Sequence, residues 1–211
     1  MPTVHARRQP RVRRNPKHAK DVITQAAAEI FVHKGYHGAT IDDVAARAGY
    51  SAAAVYKYFR NKDQLFGQLW TAVAERLDRL FAECNRLQLP FTARLRWLIT
   101  RLGLWLEAEP ATMGAFLAHR PFATRALSRF ERQALRHYRN HLAQTERLMA
   151  DGVAQGVLRP GPCSGYALLL MGLLYEFAHR AATSERPVEV PTDVELVLDL
   201  FLHGAASSAR Q

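Results

Sequence analysis

The side chains in this 211-residue chain best suited to metal binding or nucleophilic chemistry are nine histidines and two cysteines, and their spacing argues against both uses. Cys84 and Cys163 lie far apart, with no CxxC pair and no adjacent histidine pattern, so neither a disulfide framework nor a zinc knuckle is expected and two buried thiols are. His137 and His141 are four apart and can share a helix face with Glu131 or Glu146, but no third ligand follows at a fixed spacing, so no metal is expected. An enzyme built around His119, His137 and His141 would need an activated nucleophile, a metal or a phosphate loop. The chain has no GxSxG, HExxH, GxxxxGK[ST] or GxGxxG, so neither catalysis nor a cofactor is expected.

A different chemistry is offered by Tyr50-Ser-Ala-Ala-Ala-Val-Tyr-Lys-Tyr-Phe59. A helix that enters the major groove needs small residues at its N-terminal end, so that its backbone approaches the bases, and polar or cationic residues beside them for phosphates. Ala52 and Ala53 supply methyls for thymine C5-methyl groups, and Tyr56 and Lys57 reach base edges or backbone. Val55 and Phe59, four apart, face the core. Thr40 and Lys62 open the flanking helices and are placed for phosphates, where helix N-termini assist. An ordinary packed helical hairpin would show the same periodicity.

These residues require elements that hold them, and beyond residue 17 the chain reads as helix after helix, with Pro or Gly at nearly every break and no sustained period-2 pattern. The class is all-α, with about nine helices. Ile23, Ala27, Ile30 and Phe31 stripe a first helix near 17–34, closed by Gly35. Thr40-Ile-Asp-Asp43 has the form of a capping box opening a second, and Ser51 caps a third after the Gly49-Tyr50 break. Asn61 caps a long fourth helix, 62–87, striped by Phe66, Leu69, Trp70, Val73, Leu77, Leu80, Phe81 and Cys84. Further helices are expected near 91–108, 111–119, 123–155, 163–183 and 192–207.

The last two are apolar nearly all round. Leu170, Leu174 and Phe177 on one, and Leu198, Phe201 and Leu202 on the other, are expected to pack against a second copy as a four-helix, two-fold dimer interface, unless the pair is a hairpin buried within one subunit.

The run from Ile23 to Leu69, with its combined GxTxxDVAxxAGxS and VYxYFxNKxxL patterns, resembles the DNA-binding domain of the TetR family of bacterial transcriptional regulators. The resemblance is carried by Ala28, Phe31, Gly35, Thr40, Ile41, Val44, Ala45, Ala48, Gly49, Ser51, Val55, Tyr56, Tyr58, Phe59, Lys62, Leu65 and Phe66, and covers about a quarter of the chain densely. It implies a homodimer with a basic flexible arm at 1–16, a three-helix helix-turn-helix domain at 17–62 and a ligand-binding and dimerisation domain at 63–211. By position it implies phosphate contacts at Thr40, Tyr58 and Lys62, and Tyr50, Ser51, Ala52, Ala53, Tyr56 and Lys57 facing groove or backbone. The chain departs from the common pattern at Ala52, where Lys, Arg or Pro is frequent, and at Ala53, often Gly. Fewer polar donors there point to thymine-methyl or shape readout. The resemblance also implies a ligand pocket in the middle helices whose occupancy moves the long fourth helix. Its candidates are Trp70, Trp97, Trp105, Met113, Phe116, Phe122, His137, Tyr138 and His141, a set suited to an apolar or aromatic effector.

The charge distribution agrees. Of a net charge of +10, residues 1–20 contribute +7, with no acid among them, so the basicity is a tail rather than a property of the fold. A cationic, Pro-interrupted arm suits phosphates, and Arg11, Arg13 and Arg14 are expected to follow the minor groove or adjacent backbone. An arm that dominated binding would instead make a non-specific architectural protein. The longest apolar run, Tyr166 to Tyr175, is half a bilayer span, and the basic N-terminus leads into an amphipathic segment without an apolar h-region. Neither a membrane span nor a secretory signal is expected, and the expected location is the cytoplasm, at double-stranded operator DNA.

Overall fold

The computed structural model describes residues 16–118, 129–183 and 189–203, and among these the chain forms nine helices and no strand. They are α1 (Pro16–Gly38), α2 (Ile41–Ala48), α3 (Ala52–Tyr56), α4 (Lys62–Arg86), α5 (Phe91–Ala108), α6 (Pro110–Ala118), α7 (Arg129–Ala154), α8 (Cys163–Thr183) and α9 (Val190–His203). Pro16 opens α1, where a missing N–H costs nothing. Gly35, at φ 67°, interrupts it, and only the last residues continue past the break.

The first core gathers Ile23 and Phe31 of α1, Val44 of α2, Val55 of α3, Phe59, and Leu65, Phe66 and Leu69 of α4, all fully or almost fully buried. Each large side chain so buried contributes roughly 1.5–3 kcal/mol. The Phe31 and Phe66 rings meet edge to face, 5.1 Å between centroids, which fixes α4 on α1. Two ion pairs lock α1 to α2: Lys34 with Asp43 at 2.6 Å, and Arg47 with Glu29. This core runs past the domain boundary expected at residue 62, because it also takes in Trp70 and Ala74 of α4, Ala115 of α6 and Ala134 of α7.

The second core is built from α4, α5, α6, α7, α8 and α9, around Val73, Phe81, Leu95, Leu98, Ile99, Leu106, Leu148 and Leu170. Inside it Arg94 of α5 is buried, with its guanidinium 2.6 Å from Asp151 of α7. Helix α4 packs on α7, α7 and α6 on α8, and α5 on α9, while α6 reaches back to α1. Helix α4 therefore belongs to both cores, and α6 touches both.

On the last two helices the residues expected at the interface fall in two environments. Leu170, Leu174 and Leu198 are turned into the subunit's own core, and Phe177, Phe201 and Leu202 are half-buried against it. The exposed leucines are instead Leu168 (51%) and Leu169 (64%) on α8 and Leu196 (55%) on α9. A helix apolar on every side carries no periodic mark of which side its own subunit covers.

Candidate DNA-binding interface and effector cavity

The candidate DNA-facing end is assembled by four local caps. Thr40 Oγ1 accepts from Asp43 N at 3.1 Å, and the Asp43 carboxylate accepts from Thr40 N at 3.1 Å, which completes the capping box of α2. Lys34 first, then the hydrogen bonds from Thr40, hold the Asp43 carboxyl below its ordinary range. Gly49, left-handed at φ 70°, closes α2: its N–H goes to Ala46 O, and the N–H of Tyr50 goes to Ala45 O at 2.9 Å. Ser51 Oγ then accepts from Ala54 N at 3.2 Å and starts α3 in a new direction. Asn61 Oδ1 accepts from Gln64 N at 2.8 Å and starts α4.

Helix α3 spans only five residues, since Lys57 and Tyr58 form a turn after Tyr56. Val55 and Phe59 are fully buried and anchor it, so its outer surface consists of Ser51, Ala53, Tyr56 (54% exposed) and Lys57. Ala52, Tyr50 and Tyr58 are half-buried against the first core, so they border that surface rather than project from it. Thr40 is exposed at the start of α2. Arg11, Arg13 and Arg14 lie outside the described residues.

Lys62 has a different surrounding from the one its position in the motif implies. Its Nζ donates to Tyr36 O at 2.7 Å, Ala39 O at 2.9 Å and His37 O at 3.3 Å, so carbonyls of the chain itself meet all three ammonium protons. The same ammonium sits 4.7 Å from the centroid of the Tyr36 ring. The Tyr36 hydroxyl donates to Asp63, and burial first, then this carboxylate, raise its pKa. Lys62 thus clamps the segment between Gly35 and Thr40, which carries the start of α2.

In the second core α4, α5, α6, α7 and α8 surround a half-open cavity of about 610 Å³. Trp70, Met113, Phe116, Tyr138 and His141, all expected at an effector pocket, line it together. Its wall also includes Leu77 and Phe81 of α4, Leu102 and Leu106 of α5, Leu117 of α6, Leu135 of α7, and Leu168, Met171, Gly172, Leu174, Tyr175 and Glu176 of α8. Trp97, Trp105 and His137 are not in the wall. Trp105 instead carries the Arg76 guanidinium 4.1 Å from its ring and borders a small cleft of about 160 Å³ between α4 and α5. The Arg101 guanidinium lies 5.9 Å from the Trp97 ring. Phe122 lies outside the described residues.

The polar groups near this cavity converge on one carboxylate, Asp78 of α4, which sequence reasoning did not single out. His137 Nδ1 lies 2.6 Å from Asp78 Oδ2, His141 Nε2 lies 3.0 Å from Oδ1, and Asn140 donates to the same side chain. The His141 ring stacks on Phe81 with 5.6 Å between centroids. Burial holds its pKa below the ordinary value against the opposing pull of Asp78. The two histidines four apart thus join α7 to α4, and among the described residues no group of three or more His, Cys, Asp or Glu is placed to hold a metal. The signal for Asp78 was its place one turn from Ala74 and Phe81 on the striped helix, but a lone exposed-type residue there is not informative by itself.

Above this cavity, Trp70 stacks on Phe116 at 4.8 Å between centroids, where the two cores meet. A short helix presented after a Gly-ended turn, and a cavity beside the helix that supports it, define a helix-turn-helix domain followed by a helical domain that holds a cavity. Residues 23–69 match the family described as bacterial regulatory proteins, tetR family.

Among curated proteins it is similar to the uncharacterized HTH-type transcriptional regulator YhgD of Bacillus subtilis, with 23% identity over 145 residues, 67% of this chain and 72% of that one. Two solved structures share its fold. The regulator FadR from Bacillus subtilis in complex with stearoyl-CoA superposes with a TM-score of 0.69 at 18% identity, covering 88% of this chain and 99% of that one. AibR in complex with isovaleryl coenzyme A and operator DNA superposes with a TM-score of 0.73 at 15% identity, covering 87% and 98%.

Proposed function

We propose that this regulator is a repressor that binds a palindromic operator as a homodimer and is released by a mostly apolar small molecule, with an acyl thioester as the first class to consider. The observation that carries this reading is the cavity of about 610 Å³, whose wall includes Trp70, a residue of the DNA-binding core. Its volume falls within the roughly 300–1,000 Å³ typical of small-molecule sites. The wall is mainly leucine, phenylalanine, methionine and tryptophan, with His141, Tyr138 and Glu176 as the polar groups that orient a ligand. The acyl-CoA complexes of FadR and AibR support the thioester class.

In this reading an acyl chain displaces the free volume between α4 and α8, and the Trp70–Phe116 stack carries the displacement to α1 and α4. The Asp78 cluster keeps α7 attached to α4, so the two move together. Ser51, Ala53, Tyr56 and Lys57 read the groove, with the α2 N-terminus and the arm at 1–16 on phosphates. The role is regulation rather than catalysis, in the cytoplasm; among the described residues no helix is long and apolar enough to cross a membrane.

The test is selection of bound sequences from a random duplex pool at about physiological salt, followed by titration of the selected duplex with stearoyl-CoA. Recovery of an inverted repeat with half-sites one helical turn or a little more apart, and its release by the acyl-CoA, is the expected result. Recovery of no motif overturns the operator reading and leaves binding driven by the arm. A motif bound equally with and without acyl-CoA overturns the thioester class.

A further inference from the structure

The cleft of about 160 Å³ between α4 and α5 shares no wall residue with the large cavity. Its wall is Arg76 and Leu80 of α4 with Arg101, Leu104, Trp105 and Ala108 of α5, so it holds two guanidinium groups, an apolar surface and no acid. The two cations have different surroundings. Arg76 stands 4.1 Å from the Trp105 ring and donates to the Glu109 carboxylate at 2.7 Å, in a pair open to solvent. Arg101 is exposed, 5.9 Å from the Trp97 ring, and has no acid partner among the described residues. Trp105 itself is 5% exposed, and its indole N–H, cut off from water, donates to no acceptor among the described residues. Buried donors of this kind are rare, and an arriving acceptor is one way to complete them.

We propose that this cleft is a second ligand site, selective for a small carboxylate with an apolar body, and that Glu109 occupies Arg76 until such a ligand displaces it. The chain's own carboxylate shows what the site accepts. Glu109 meets one arginine, whereas a ligand between the helices meets both, with Leu80 and Leu104 against its body. An exposed ion pair contributes little to stability, so Glu109 is readily displaced. The volume is below the roughly 300–1,000 Å³ of sites for drug-sized ligands, which selects a single ring or a short branched chain and excludes an acyl-CoA. Displacement has a route to the rest of the molecule. Glu109 closes α5, its N–H donating to Trp105 O at 2.9 Å, and its carbonyl accepts from Met113 N at 3.3 Å in the first turn of α6. The Arg76–Glu109 pair therefore ties the start of α6 to α4, and α6 brings Met113 and Phe116 to the large cavity and Ala115 to the first core. The inference is independent of the effector reading above, since it concerns other residues and another ligand.

The test is titration of the full chain with sodium benzoate at low chloride, followed through the tryptophan indole N–H resonances, with the Trp105 signal identified by its loss in Trp105→Phe. The expected result is a saturable shift of that signal with a dissociation constant on the order of 1–10 mM, as suits so small a ligand. Benzamide, which has the same shape without the charge, leaves the signal in place. Arg101→Gln, at an exposed position, weakens benzoate by about fivefold or more. Glu109→Gln removes the internal competitor and tightens benzoate by about threefold or more. Absence of a saturable shift at Trp105, an equal shift with benzamide, or unchanged affinity in Arg101→Gln overturns the site. Unchanged affinity in Glu109→Gln overturns the competition by Glu109. A benzoate shift confined to Trp70 places the ligand in the large cavity and overturns the second site, while the operator reading stands.

Discussion

Replacing Lys62 by Met separates two roles for the residue, because a phosphate contact and a clamp on the chain itself fail in different ways. In the structure the ammonium serves three carbonyls, at 2.7, 2.9 and 3.3 Å, of which those of Tyr36 and Ala39 are partly buried. Hydrogen bonds to a charged group contribute about 1.5–3 kcal/mol, and the long third contact to exposed His37 adds little. Loss of the attraction to the Tyr36 ring at 4.7 Å adds about 0.5 kcal/mol. Against this, removing a cation from the first residue of α4 relieves an unfavourable dipole interaction of about 0.5 kcal/mol. The net expectation is a loss of about 1.5–3 kcal/mol, or a melting temperature lower by roughly 3–12 °C for a chain of this size. The assay pairs scanning calorimetry with operator affinity measured across a salt series. A clamp predicts lower thermal stability and a salt slope close to wild type. A slope reduced by about 0.9, with the melting temperature unchanged, would refute the assignment and restore Lys62 as a phosphate ligand.

Four further outcomes are expected. Tyr56→Ala removes a side chain that is 54% exposed and should leave the melting temperature within about 1 °C while changing the order of preference among selected duplexes; uniform weakening across sequences would show that Tyr56 touches only backbone. Gly49→Ala forces a side chain into φ 70° and should cost about 1 kcal/mol, with Gly49→Asn costing less, as read from urea midpoints. Leu170→Arg buries a cation in the subunit's own core and should unfold the C-terminal helices rather than release folded monomers; a soluble, fully helical monomer would contradict the placement of Leu170. His141 is held neutral by burial, so the unfolded chain takes up its proton first as pH falls. Its contribution is full above about pH 6.5 and is lost below that, toward the depressed native value. Wild-type urea midpoints should therefore fall more between pH 7.5 and 5.5 than those of His141→Gln, and parallel curves would be incompatible with a buried neutral imidazole.

The helices and their caps were legible because capping is chemistry between residues three or four apart. Thr40 with Asp43, Ser51 with Ala54, and Asn61 with Gln64 all close as their order suggests. The cavity was partly legible: Trp70, Met113, Phe116, Tyr138 and His141 share it, but Trp97 and Trp105 of α5 sit beside Arg101 and Arg76, since an aromatic side chain looks the same in sequence whether it lines a cavity or covers a surface. The contacts of Lys62 were not legible, because its carbonyl partners lie 23 to 26 residues earlier and leave no side-chain signature. Leu170 and Leu169 are adjacent and chemically identical, so only packing distinguishes the one inside the subunit from the one outside.

Trp70 is counted in the DNA-binding core and in the cavity wall at once, and its partner Phe116 borders both. Under the proposed function, this double membership limits how effector specificity can evolve. A substitution at Trp70 that reshaped the pocket for a new ligand would also loosen the core that holds α3. Leu102 and Leu106 on α5 and Met171 on α8 touch the cavity from the far side and carry no load for the DNA-binding domain. New inducers should therefore be acquired by drift of that far wall, with the Trp70 side kept as a fixed anvil against which each successive ligand presses.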